Sequence, residues 1–118
     1  MKQPLRLQSM LSGSKSKSAD DVRTFATIAL GVVDSLAAGV TTATEAVSYF
    51  FHAENCLFVK TRLKNRLASQ IMGRGVQLPD LSEALAPEAA FQEYQRELAG
   101  IRSLTLTLLT PRQPARVR

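Results

Sequence analysis

The stretch DDVRTFATIALGVVDSLAA, residues 20–38, decides the fold class. Asp20 and Asp21 stand in its first turn, where the helix dipole favours acids, and Gly39 suits a left-handed helix end. At 100° per residue its apolar side chains share one broad face, made of Val22, Phe25, Ala29, Val32, Val33 and Leu36. The pattern predicts a long helix at the centre of the core.

The cellular compartment is predicted from the apolar part of this stretch and from the cysteine count. The apolar run from Phe25 to Val40 is shorter than the ~20 residues that a membrane span needs, and it contains Asp34. The charged region of a signal peptide would directly precede the apolar run, whereas here two aspartates intervene. The one cysteine, Cys56, excludes an internal disulfide framework and fits a reducing compartment. We therefore predict a cytoplasmic protein with no membrane span.

Three further helices are predicted downstream. Thr42 and Glu45 form a capping box that starts the second helix. The third helix spans about residues 54–72 and ends at Gly73, and the last one runs from Pro87 to Leu109. The alternating run SLTLTLL has no second strand to pair with, so we assign it to the last helix. The prediction is an all-α, compact bundle of four to five helices with flexible basic N- and C-terminal tails.

Composition divides the 118 residues into three parts. Residues 1–18 are small, polar and basic, and we expect a flexible arm there. Residues 19–109 form the helical domain, and residues 110–118, with two prolines, form a flexible basic tail. The net charge of +5 is concentrated in the two ends, where it suits contact with a polyanion.

A basic stretch follows the middle of the chain. In FVKTRLKNRLASQ, residues 58–70, every second position from the third to the ninth is a cation: Lys60, Arg62, Lys64 and Arg66. In a continuous helix these cations flank an apolar stripe on both sides, as they do when a core helix keeps its charged ends in solvent. The alternative is that they bind a polyanion.

Three consecutive aromatic residues precede this stretch: Tyr49, Phe50 and Phe51. A single helix cannot bury three consecutive side chains on one side. An exposed member would contact a protein partner or stack on a nucleic-acid base, and the alternative is a helix end that turns a corner inside the core.

Catalytic candidates are limited to His52 and Cys56, which are four residues apart. A zinc site takes three or four protein ligands, and a nucleophile–base pair needs an orienting group and an oxyanion site, none of which the sequence supplies. We predict no catalytic, cofactor or metal residue and no enzymatic activity, with Cys56 as a small core residue.

The middle of the chain carries a longer pattern: LAAGVTTATEAVSYF, then AENCLF, then GVQLPDLSEALAPEAAFQEYQREL, within about residues 32–98. It resembles a family of short, uncharacterised bacterial proteins, a domain of unknown function. The resemblance implies a bacterial cytoplasmic protein with a compact helical fold, and it supplies no site residue.

We expect a small, non-enzymatic protein-interaction module (an adaptor, a regulator or an immunity-type protein) whose partner is another protein. The alternative is a nucleic-acid-associated protein that uses the basic tails and the helix at Lys60–Arg66. Homodimerisation is left open, because one small domain does not always cover the whole apolar face of so wide a first helix.

Overall fold

Residues 3–11, 18–84 and 86–110 are described by a computed structural model, and their regular secondary structure is entirely helical. The elements in these ranges are α1 (Leu7–Leu11), α2 (Ser18–Ala37), α3 (Ala43–Tyr49), α4 (Ala53–Phe58), a π-helical segment (Val59–Leu63), α5 (Arg66–Val76), α6 (Leu78–Ala84) and α7 (Pro87–Leu109). The predicted all-α class is confirmed. Over the same ranges, no helix has the length and apolar character that a membrane crossing demands.

Helices α2 and α7 pack against each other and supply part of the core, and α1 and the elements from α3 to α6 supply the rest of its buried side chains. Phe25 and Val33 of α2 and Ile101 of α7 are fully buried. Asp34 and Arg102 join the two helices at the surface, with 3.0 Å between Oδ1 and Nε. The predicted central helix and the predicted last helix are both confirmed, and SLTLTLL lies in α7.

Local signals between α2 and α3 also act as predicted. Gly39 has a φ of +77°, the left-handed conformation that favours glycine. The Oγ1 of Thr42 accepts the Glu45 amide at 3.1 Å, and a Glu45 carboxylate oxygen accepts the Thr42 amide at 2.9 Å. The capping box is therefore confirmed.

The predicted third helix is wrong in its middle and at its end. Lys64 adopts a left-handed conformation, φ 52°, and its amide donates to the Val59 carbonyl at 2.9 Å. The side chain of Asn65 then accepts the Ala68 amide at 2.9 Å and caps a new helix, α5. Gly73 lies inside α5, which continues to Val76.

The predicted flexible arm, residues 1–18, is wrong for residues 5–11, which we call the N-terminal segment. Leu7 and Leu11 are buried in the core, because they stand four residues apart on one face of α1. The predicted tail lies outside the described residues except for Thr110, as do residues 1–2 and 12–17.

Candidate functional site

The aromatic triplet lies at the corner where α3 ends and α4 begins. Phe50 and Phe51 are 0% and 1% exposed, and their rings meet edge to face with centroids 5.0 Å apart. Phe50 also stacks on Phe25 at 5.9 Å. Because the chain turns at Phe50, consecutive side chains enter one core from different directions. The prediction that Phe50 or Phe51 contacts a partner or a base is therefore wrong, and only Tyr49 of the three retains partial exposure.

His52 caps α4 and holds a fixed set of hydrogen-bond partners. Its Nε2 lies 2.8 Å from the carbonyl oxygen of Leu5, which can only accept, so Nε2 carries the proton. Its Nδ1 accepts the Asn55 amide at 3.4 Å. Both ring nitrogens are thus engaged by main-chain groups in the folded protein.

Cys56 follows one turn later and is partly buried. Its Sγ lies 3.9 Å from the carbonyl oxygen of Phe51. Burial raises the pKa of the thiol above its ordinary value, which lowers the thiolate fraction at neutral pH. Across the described ranges, no group of three or more His, Cys, Asp or Glu side chains is placed to hold a metal ion.

The four cations of the basic stretch lie on the π-helical segment, on the left-handed turn and at the start of α5: Lys60, Arg62, Lys64 and Arg66. All four are exposed, and none forms an ion pair with a carboxylate of the described residues. Four other cations of the described residues are paired with carboxylates: Arg6, Arg74, Arg96 and Arg102. Arg74 lies 2.5 Å from Glu97, and that hydrogen bond raises the pKa of Arg74. The predicted stretch is therefore an exposed, uncompensated positive region.

A shallow groove lies beside this region, on the outer face of α4. We call it the α4 groove; its volume is about 140 Å³, and its lining residues are Gln8, Glu54, Leu57, Phe58, Thr61 and Arg62. All but Gln8 come from α4 and the π-helical segment. They stand at the spacing i, i+3, i+4, i+7 and i+8, which is one face of a helix. Gln8 closes the groove from α1.

Leu57 is the apolar feature that this groove exposes to solvent. Its exposure is 62%, whereas the neighbouring Phe58 is 7% exposed and belongs to the core. The Arg62 guanidinium lies over the Phe58 ring, 5.8 Å from the centroid. The Thr61 hydroxyl donates its hydrogen bond to the Leu57 carbonyl at 2.8 Å, so its proton is already used within the helix.

The size of the α4 groove limits what it can hold. Pockets for cofactors and drug-sized ligands have volumes of roughly 300–1,000 Å³, so about 140 Å³ is too small for one. It suits one or two side chains of a partner protein. A cation on its rim, Arg62, and the neighbouring Lys60 favour a partner with acidic groups at that edge.

Two residues of this region were not identified from sequence. Asn55 is fully buried and hydrogen-bonds the N-terminal segment, a contact across 48 residues that no local pattern encodes. Leu57 could have been found, because Glu54, Leu57, Phe58 and Thr61 form a second stripe beside the buried one. The buried stripe consists of Val59, Leu63 and Ile71, and Leu57 lies on the neighbouring face, exposed to solvent.

Comparison of the chain with protein-family models, with curated proteins and with solved structures finds no match. The resemblance to short bacterial proteins therefore stays a prediction, and function has to be argued from the surface geometry.

Proposed function

We propose that this protein is a non-enzymatic interaction module that binds another protein through the α4 groove. The observation that carries the proposal is Leu57, a large apolar side chain that is 62% exposed in a groove of side-chain size. Buried apolar anchors surrounded by polar groups dominate the energetics of protein interfaces. We place the interaction in the bacterial cytoplasm, on the grounds of the family resemblance and the single cysteine.

The partner surface is proposed to be acidic. Arg62 lines the groove and belongs to the basic stretch with Lys60, Lys64 and Arg66, and these four cations form no ion pair with a carboxylate in the part of the chain that the structure describes. Acidic groups on a partner would meet them at the rim, where charge complementarity speeds association and excludes basic competitors.

The test is a tagged pull-down from nuclease-treated cells with three versions of the protein. The wild type is expected to retain one protein stoichiometrically. Leu57→Ala is expected to weaken its retention about tenfold, since removing an interface anchor costs ~1–2 kcal/mol. Val40→Ala is the matched control, because Val40 is 75% exposed on the turn after α2 and lies outside the groove. Equal retention by all three versions would contradict the proposal.

A second candidate, nucleic-acid binding, is favoured by the same four exposed cations, for which the described residues supply no carboxylate partner. Association with phosphates releases counterions, so affinity for a labelled oligonucleotide should fall steeply as salt rises. Neutralising Lys60 and Lys64 to Gln should lower the slope of log affinity against log salt by about two. Arg96→Gln is the matched control, since Arg96 is exposed but paired with Glu93 at 2.9 Å. Leu57→Ala should leave oligonucleotide binding unchanged, which separates the two candidates.

A further inference from the structure

The N-terminal segment is bound to the rest of the fold through its main chain. The Leu5 amide donates to the Tyr49 carbonyl at 2.9 Å. The Leu5 carbonyl accepts from the His52 ring at 2.8 Å and from the Asn55 amide group at 2.9 Å. The Leu7 amide donates to Asn55 Oδ1 at 3.0 Å. The buried side chain of Asn55 thus binds two main-chain groups of the segment, the Leu5 carbonyl and the Leu7 amide.

The side chains of the segment are divided in a way that is typical of a bound peptide. Leu7 and Leu11 are 0% and 5% exposed, and Leu5 packs against the same core. Arg6 points outward between them and lies 3.8 Å from Glu54, with both side chains largely in solvent. Main-chain hydrogen bonds with alternate side chains in pockets are how proteins recognise extended peptides.

The binding groups are held in place by bonds that do not involve the segment. The Asn55 amide group also donates to the Phe50 carbonyl at 2.8 Å. His52 accepts the Asn55 amide and thereby caps α4. The hydrogen-bonding groups that meet the segment are therefore oriented by α3 and α4 themselves.

We infer that the corner between α3 and α4 is a peptide-binding site, formed around His52 and Asn55. Its ligand class is a short segment with the pattern Leu-x-Leu-x-x-x-Leu, in which the first leucine precedes the helix and the second begins it. Its occupant is the N-terminal segment of this chain, which binds as a separable ligand. This inference does not depend on the partner of the α4 groove.

A tethered ligand competes with the same peptide added from solution. Residues 12–17 join the segment to α2, and a connection of that length gives effective concentrations in the millimolar range. If the free peptide has a Kd of roughly 100 μM, the tethered copy weakens its apparent binding about tenfold. Vacating the site should therefore strengthen the binding of added peptide.

The experiment uses full-length chains and a fluorescent peptide of residues 3–11, QPLRLQSML. The double variant Leu7→Asp/Leu11→Asp vacates the site and is expected to bind the peptide about tenfold more tightly than the wild type. Met10→Asp is the matched control, because Met10 is on the same helix but 52% exposed, and it should behave as the wild type. Adding Asn55→Ala to the double variant should weaken peptide binding at least tenfold.

The outcomes decide the inference in each case. A folded double variant, judged by far-UV circular dichroism, that binds the peptide no better than the wild type overturns it. If the double variant is unfolded alone, recovery of its helical signal on adding the peptide supports the inference, and no recovery overturns it.

A second copy is the other available source of the segment. The immobilised double variant should retain the wild-type chain weakly or not at all at micromolar concentration, because the N-terminal segment of the wild-type chain is already bound to the site of its own chain. Tight retention would overturn the assignment of the occupant to the same chain and assign it to a second copy.

Discussion

Asn55 is the polar side chain on which the region before α4 depends. It is fully buried, and its amide oxygen and nitrogen meet the Leu7 amide and the carbonyls of Leu5 and Phe50. A buried amide with three partners fixes a particular arrangement of chain segments, because any other arrangement leaves polar groups without hydrogen bonds.

Substituting Asn55 with Ala should lower the free energy of unfolding by about 2–4 kcal/mol, since the Leu7 amide and the Phe50 carbonyl lose a buried partner. Asn65→Ala is the matched control; it removes only a helix cap and should cost about 1 kcal/mol. Urea unfolding followed by circular dichroism measures both, as the chain has no Trp for fluorescence. Equal losses for the two variants would show that Asn55 serves only as a local group.

Cys56 gives a pH-dependent prediction. Burial raises the pKa of its thiol, so the folded state holds the proton more tightly than the unfolded state. Alkylation by iodoacetamide should be slower in the folded chain than in urea, and its midpoint should lie at higher pH. Stability should fall as pH rises from the unfolded thiol's pKa towards the folded one. Equal dependence of the alkylation rate on pH with and without urea would contradict the burial of the Cys56 thiol in the folded chain.

At the scale of the elements, helices with strong local signals were predictable and those defined by distant contacts were not. The capping box at Thr42, Gly39 and Pro87 each act within a few residues, and their helices have the expected bounds. The break at Lys64 arises from a π-helical segment and the Asn65 cap, and the apolar stripe continues across it. The N-terminal segment was missed because Leu7 and Leu11 make contacts about fifty residues away, which composition does not encode.

The break between the π-helical segment and α5 should respond to glycine in a position-specific way. Lys64 has a φ of 52°, which costs an ordinary residue roughly 1–2 kcal/mol, so Lys64→Gly should be neutral or stabilise the fold by about 1 kcal/mol. Lys60→Gly removes a similar cation from the helical backbone and should destabilise by about 1 kcal/mol. Urea unfolding compares the free energies of unfolding of the two variants. A larger loss of stability for Lys64→Gly than for Lys60→Gly would show that the helix does not break at Lys64.

Helix α5 contains a matched pair of glycines. A β-carbon at Gly75 would overlap the buried ring of Phe51, so Gly75→Ala should destabilise by about 1–3 kcal/mol. A β-carbon at Gly73 meets no atom of the described residues within 4 Å beyond its own stretch of α5, so Gly73→Ala should stabilise by about 0.5–1 kcal/mol. Thermal unfolding should move in opposite directions for the two variants; a shift in the same direction would contradict the packing of α5 on the α3–α4 corner.

At the scale of the whole molecule, the core and the candidate interface are formed by opposite faces of one continuous stretch. Val59 and Leu63 enter the core, while Leu57 and Arg62 lie on the outer face and line the α4 groove. The sequence predicted the positive charge but assigned the apolar contact to Tyr49, Phe50 and Phe51, of which Phe50 and Phe51 are buried in the core. Burial depends on the tertiary turn at Phe50, so the exposed anchor could be identified only after the fold was known.

The central claim is that Leu57 lies at a protein interface, and site-specific photo-crosslinking tests it most directly. A photoreactive amino acid at position 57, activated in intact cells, should crosslink to one acidic protein in a single band. The same amino acid at position 40, which is also strongly exposed, should give no such band. Equal crosslinking from both positions, or none from position 57, would contradict the account.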